Sequence, residues 1–393
     1  MKKLINTLAF IALFSTSMAQ PGTMERALKS IEENNTSLKA LRKQADAEKI
    51  SNKTDIFLSG PEVEFNYLWG SPESIGMRKD FAIQQTFDYA TISGNKRKLA
   101  EQKNILPELE YKRERINILL EAQELYIDLA YNYELSQALS VQQEHAQSIV
   151  DIYKRRLEEG DIGILDYNKA RLALSDIVGK TSKLETEIQN IKGELSRLNG
   201  GEELHLENVE FPKALLVENF DSWFGQIEED NPVMQYLKQQ EEVYKQEIAL
   251  RKSQRVPSLS AGYLTERVVG ETFSGVTLGL QIPLWENKNK VKESKANLLA
   301  IQERQIDQRL QFFSTLQNLH RKALGLQNTA EHYRKALQES NSTELLSKAL
   351  KAGEISILEY VMELGLYYNN IDQTLQAERD FHIAYAELQA ITL

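Results

Sequence analysis

Side chains able to do chemistry are present in this chain, but not at the spacings that chemistry needs. The five histidines (His145, His205, His320, His332, His382) show no i, i+3 or i+4 pairing, so no helix turn brings two of them to one metal ion. Cysteine is absent, which removes disulfides, thiolate metal sites and a lipid-acceptor thiol. No Gly-x-Ser-x-Gly elbow, phosphate-cradling Gly-rich loop with Lys, or His-Glu-x-x-His helix occurs. Carboxylate pairs such as Glu158-Glu159 are what a charged helix end ordinarily presents. The residues thus predict no catalytic group, no metal and no cofactor, and a protein that is not an enzyme. What recurs instead is an octapeptide. Gly160-Asp161-Ile162-Gly163-Ile164-Leu165-Asp166-Tyr167 returns as Gly353-Glu354-Ile355-Ser356-Ile357-Leu358-Glu359-Tyr360, at a shift of 193 positions.

The elements that must position these octapeptides are duplicated with them. Ile31-Glu32-Glu33-Asn34-Asn35 returns as Ile227-Glu228-Glu229-Asp230-Asn231, and Pro61, Tyr67 and Gln85 return as Pro257, Tyr263 and Gln281, all at a shift of 196. The chain therefore divides into repeat 1 (residues 20–210) and repeat 2 (211–393), an arrangement that implies pseudo-symmetry rather than one pocket. Residues 108–211 and 284–393 contain no proline and are rich in strong helix formers. Within the first window Leu174, Ile177, Leu184, Ile188, Ile191, Leu195 and Leu198 step by 3, 4 or 7, a heptad seam broken only at Thr181. A helix from Lys96 to Glu159 would run roughly 90 Å, with Pro107 interrupting it near its start.

Four stretches have period two instead. Val63, Phe65, Tyr67 and Trp69 form one apolar face, and Phe81, Ile83, Phe87 and Tyr89 another. Leu259, Ala261 and Tyr263 follow, then Val276, Leu278, Leu280, Ile282 and Leu284. They predict two β-hairpins, about 61–89 and 257–284, turning at Gly70-Ser71-Pro72 and Gly270-Glu271-Thr272. The aromatics suit a lipid-interface girdle. Alternation alone fits at least as well a soluble sheet buried on a helix layer. Residues 203–217 read as a linker with some strand character, and the segments near 24–58 and 220–255 as leading helices.

The first nineteen residues read as a secretory signal: Lys2 and Lys3, an apolar run from Leu4 to Phe14, and Ser17-Met18-Ala19 before Gln20. An uncleaved anchor is the alternative. A net charge of −10 argues against nucleic acid as a partner. A mean hydropathy of −0.45 excludes a helical membrane protein but not a β-barrel, whose lumen-facing half is polar. Four strands cannot close a membrane barrel, which needs about eight, so membrane-spanning hairpins would require several copies of the chain.

Taken in order, these elements resemble the TolC-type outer membrane efflux proteins over nearly all of the mature chain. The resemblance is carried by the duplication, by Asn231-Pro232-Val233-Met234, by the strand opening Val256-Pro257-Ser258-Leu259-Ser260-Ala261-Gly262-Tyr263, by both octapeptides, and by the closing runs 188–199 and 384–393. It implies a mainly α fold with a β-hairpin pair. Long helices would form a coiled-coil barrel through the periplasm, and four transmembrane strands per subunit would make twelve in a homotrimer embedded in outer membrane lipid. It also implies a passive exit duct of a tripartite efflux pump or type I secretion system, fed by an inner-membrane pump through a periplasmic adaptor (membrane fusion protein).

Two sets of residues take roles from the resemblance. The Gly-centred tips (158–164 and 351–357) would dock the adaptor through Arg156, Leu157, Gly160, Ile162, Ile164, Leu350, Gly353, Ile355 and Ile357. The second tip has Ala349 where the first has Arg156. Glu359, with Asp166 as its first-repeat counterpart, would form the periplasmic gate. A second carboxylate expected three residues later is Met362 here. The bland alternatives are helical turns whose apolar residues pack locally and a solvated surface glutamate. A soluble periplasmic coiled-coil scaffold and an exported structural protein are the competing readings of the whole chain. Nothing in the sequence specifies a cargo.

Overall fold

A computed structural model of the chain describes residues 22–216, 219–339 and 343–393; the signal segment read at 1–19 lies outside them. Each repeat opens with two helices, α1 (Thr23–Asn34) and α2 (Thr36–Ser51) in the first, α6 (Phe220–Ile227) and α7 (Pro232–Ser253) in the second. The repeated Asn marks the break within each pair. Asn35 accepts from the Leu38 N–H at 2.9 Å, and Asn231 accepts from Val233 and Met234 at 2.8 and 3.1 Å. Both asparagines are N-caps, satisfying amide groups that a helix start leaves without partners. Pro232 occupies the first turn, where its missing N–H costs nothing.

The hairpins follow. β1 (Glu62–Trp69) and β2 (Met77–Phe87) form the first, β3 (Ser258–Val268) and β4 (Glu271–Gln281) the second, and all four join one antiparallel sheet in the order β1-β2-β3-β4. The second turn is tighter than the sequence predicts. It comprises Val269 and Gly270, both at positive φ (50° and 95°), as two-residue hairpin turns require, and Glu271 and Thr272 belong to β4. The first turn spans 70–76.

Beyond the sheet run the long helices: α3 (Ala90–Lys103), α4 (Leu106–Glu158), α5 (Ile164–Leu198), α8 (Lys290–Glu339), α9 (Thr343–Ala352) and α10 (Ile357–Gln389). The chain does break where Pro107 demands it, since Pro107 stands in the first turn of α4. At 53 residues, α4 extends roughly 80 Å. The heptad seam is the core. Leu184, Ile188, Ile191, Leu195 and Leu198 pack with Ile31 of α1 and Leu119, Ala122, Leu129 and Leu139 of α4, all buried. Residues 202–216 contain no strand, against expectation; Leu204, Leu206 and Val209 instead pack onto that same cluster. Their near-alternation reflects one side of an extended segment lying on helices.

The duplication extends to an ion pair. Arg115 of α4 binds Glu32 through Nε and Nη2 at 2.6 and 2.8 Å, and Arg309 of α8 binds Glu228 through the same two nitrogens. Glu32 and Glu228 are repeat equivalents at the shift of 196. Each repeat thus clamps its leading helix to its long helix by one bidentate fork.

Candidate functional site: sheet face and helical tips

Cross-strand register assigns every sheet residue to a face. On one side lie Val63, Phe65, Tyr67, Trp69, Met77, Phe81, Ile83, Phe87, Leu259, Tyr263, Val276, Leu278 and Leu280, joined by pairs such as Phe65↔Phe81, Ile83↔Tyr263 and Tyr263↔Val276. On the other lie Glu62, Glu64, Asn66, Arg78, Asp80, Gln84, Ser260, Glu266, Thr277 and Gln281, with Leu68, Leu264, Val268 and Phe273 among them. Among the described residues no helix covers the apolar side: Trp69, Val276 and Leu278 are 77, 78 and 84 % exposed. Among the described residues the sheet is therefore not buried on a helix layer. Each large apolar side chain removed from water contributes about 1.5–3 kcal/mol, so this face calls for an apolar phase. The polar side carries its own network, Arg78 donating to both Asp80 oxygens at 2.8 and 3.0 Å and pairing with Glu266. β1 and β4 each have a strand partner on one side only. Among the described residues no helix is long and apolar enough to cross a membrane.

The two octapeptides fold alike. Gly160 and Gly353 sit at φ 81° and 77°, a conformation that strains any L side chain. The Gly160 N–H donates to Leu157 O at 3.1 Å and the Asp161 N–H to Arg156 O at 2.9 Å. Gly353 and Glu354 donate to Leu350 and Ala349 at 3.1 and 2.9 Å. This is the Schellman closure, two bonds that satisfy the last carbonyls of a helix. The next helix then starts at once, capped at Gly163 or Ser356.

Both tips share one apolar cluster. Ile149, Val150 and Tyr153 of α4 meet Ala170 of α5, Leu350 of α9, and Ile357, Tyr360 and Leu364 of α10, with Ile162 and Ile355 partly buried against them. Burial divides the residues to which the resemblance gives a docking role. Ile357 and Leu350 are only 5 and 6 % exposed and hold the tips together from inside; Ile162 and Ile355 are half-committed to the same core. Of the four tip isoleucines only Ile164 is exposed. Leu165 and Leu358, which the sequence reading passed over, are 72 and 56 % exposed. Helical spacing puts Ile357, Tyr360 and Leu364 on one face with Leu358 turned about 100° away, but the packing of α4 and α9 decides which face is inside. Arg156 and Leu157 are half-buried, the guanidinium 6.0 Å from the Tyr153 ring centroid.

Glu359 and Asp166 occupy equivalent places in the first turns of α10 and α5, in different bonding. The Glu359 carboxylate accepts from the Ser356 N–H at 2.8 Å while Ser356 Oγ accepts from the Glu359 N–H at 3.2 Å, a complete capping box. The Ser356 N–H holds the carboxyl below its usual range. Asp166 has glycine as its cap and instead accepts from Lys169 Nζ at 3.2 Å. Beyond Glu359 the exposed surface of α10 sets the apolar Val361, Met362 and Leu366 beside the carboxylate of Glu363.

Away from the tips, a cleft of about 880 Å³ is lined by Glu134, Phe211, Arg334, Glu378 and His382 among others. Burial raises the carboxyls of Glu134 and Glu378, and Arg334 pairs with Glu378. Within the described residues no group of three or more His, Asp or Glu is arranged to hold a metal ion.

No protein-family model matches the chain, and no curated protein matches it in sequence. Solved structures do match in shape. A membrane protein from Pseudomonas aeruginosa superposes with a TM-score of 0.80 at 14% identity, over 95% of this chain and 92% of that one. The open-state MtrE outer membrane channel of Neisseria gonorrhoeae gives 0.75 at 12% identity, over 94% and 88%. The CmeC outer membrane channel of Campylobacter jejuni gives 0.71 at 14% identity, over 94% and 85%. The chain thus has the fold of the TolC-type outer membrane channels.

Proposed function

We propose that this protein is a passive outer membrane channel, acting as a trimer that forms the exit duct of an efflux or secretion system. The observation that carries the proposal is the uncovered apolar sheet face joined to two unpaired strand edges. A lipid-facing band satisfies the face, and neighbouring copies satisfy the edges, since backbone groups in hydrocarbon must all be paired. Three copies give twelve strands, within the range of known membrane barrels. The duplication adds the periplasmic end: six similar tips around three subunits would meet an adaptor through Ile164, Leu165 and Leu358, with Arg156 beside one tip only. Glu359 and Asp166 would place carboxylates at the entrance, where rings of like charge favour cations.

The test is reconstitution in planar bilayers. Detergent-extracted trimers should form cation-preferring pores. Glu359→Gln keeps the capping bond to Ser356 but removes the charge, and should lower cation preference without loss of trimers. Recovery of the protein as a soluble monomer without detergent would overturn the channel. Unchanged ion selectivity in Glu359→Gln would remove Glu359 from the gate.

A further inference from the structure

We propose that each subunit carries, on the lipid-facing side of its sheet, a binding site for the phosphate of an outer-leaflet glycolipid, built on Lys79 and Arg267. The site rests on the reading of the sheet as a membrane-spanning segment.

Lys79 and Arg267 are direct cross-strand partners on β2 and β3, so their Cβ atoms stand about 5 Å apart. Both share the face of Phe65, Phe81, Ile83 and Tyr263, and both are exposed. Like charges placed opposite one another on a sheet destabilise it unless an anion intervenes. The sheet supplies none on this side. The row holding them reads Tyr67, Lys79, Arg267, Thr272; the adjoining rows contribute Phe65, Phe81, Thr265 and Ser274 on one flank, Trp69 and Met77 on the other. Nearby carboxylates, Asp80 and Glu266, point to the opposite face and are already bound to Arg78. Lys79 rests 5.0 Å from the Tyr67 ring centroid, leaving its ammonium donors free for an external acceptor.

The height of the pair selects the ligand. β2 leads into α3 and β4 toward α8, so the helices leave from one end of the sheet. Lys79 and Arg267 lie at the opposite, turn-bearing end. From that row to Phe87 and Leu259 the strand runs eight further residues, about 26 Å, with this face largely apolar; at the usual barrel tilt that is about 20 Å of height, most of a lipid band. Tyr67 and Trp69 mark the interface at which aromatic rings settle. The two cations thus stand at headgroup level in the leaflet away from the helices. An arginine fork with a neighbouring ammonium suits phosphate, which a zwitterionic headgroup presents already neutralised by its own amine. A phosphorylated glycolipid carries uncompensated phosphate at this depth.

Native mass spectrometry of detergent-extracted full-length trimers tests the site with bisphosphorylated lipid A, phosphatidylethanolamine and inorganic phosphate as probes. Wild-type trimers should retain lipid A and not phosphatidylethanolamine. Lys79→Gln combined with Arg267→Gln should weaken lipid A binding by about tenfold or more. Lys79→Arg should retain it, as should Lys169→Gln at the distant tip. Equal lipid A binding by wild type and the double variant overturns the site, and so does equal retention of phosphatidylethanolamine. Inorganic phosphate held as tightly as lipid A would reassign the pair to free anions and overturn the lipid assignment. Absence of detergent-dependent trimers in the wild type would instead reject the membrane reading, and the site with it.

Discussion

Glu359 has its carboxylate turned back onto the N–H of Ser356, and the same bond that starts α10 keeps it ionised to lower pH than a free glutamate. A gate built on it would hold its charge through mild acid. His382 behaves in the opposite sense. Its ring stacks on Phe211 at 4.9 Å with planes 7° apart, and its Nδ1 is buried with no hydrogen-bond partner. Burial, with the charge of Arg334 adding to it, lowers its pKa from 6.5 to about 4. The unfolded imidazole takes up its proton near 6.5, whereas the folded one does so near 4, so native stability falls as pH drops between those values. The loss approaches about 3 kcal/mol at its largest. His382→Phe keeps the stacking and removes the titration. Denaturant midpoints in detergent should then fall less steeply with acid in the variant than in wild type; parallel pH profiles would sink this account.

At the scale of elements, the tips separate residues that hold from residues that face outward. Ile357 and Leu350 anchor α10 and α9 within the cluster of Tyr153, Ala170 and Tyr360. A charge there has no partner and should cost several kcal/mol. Leu165 and Leu358 project from the same turns into solvent. Leu165→Glu combined with Leu358→Glu should leave thermal unfolding and trimer content as in wild type while abolishing complementation of an efflux-deficient strain. Ile357→Glu should lower the unfolding temperature. Retained complementation in the leucine double variant would mean the adaptor is read elsewhere on the tips. The octapeptides themselves were visible in the sequence because they repeat. The fates of their isoleucines were not, because neighbouring helices α4 and α9 decide which side of α10 is inside.

Across the whole molecule, the sheet brings the two repeats side by side through β2 and β3, pairing Phe87 with Leu259 and Arg78 with Val268. The outer edges of β1 and β4 stay open, and the chain has no cysteine of its own. Cysteine pairs introduced along those two edges should therefore cross-link between chains. Oxidised samples should show covalent trimers as the largest closed species on denaturing gels. Cross-linking that stops at dimers, or extends to an open ladder, would contradict a closed three-chain barrel.

Local chemistry by itself determined most of the architecture. The Asn caps, the Gly turns, the heptad seam from Ile177 to Leu198 and the alternation of β1 to β4 are each set by residues within a few positions of one another, and the duplication doubles each signal. What only the tertiary structure decided depends on distant partners. It left the sheet face bare where alternation fits a helix layer at least as well, and turned Ile357 inward and Leu358 outward. It committed Glu359 to Ser356, and set Lys79 opposite Arg267 across 188 positions of chain. Alternation marks which residues share a face, but only packing says what lies against it.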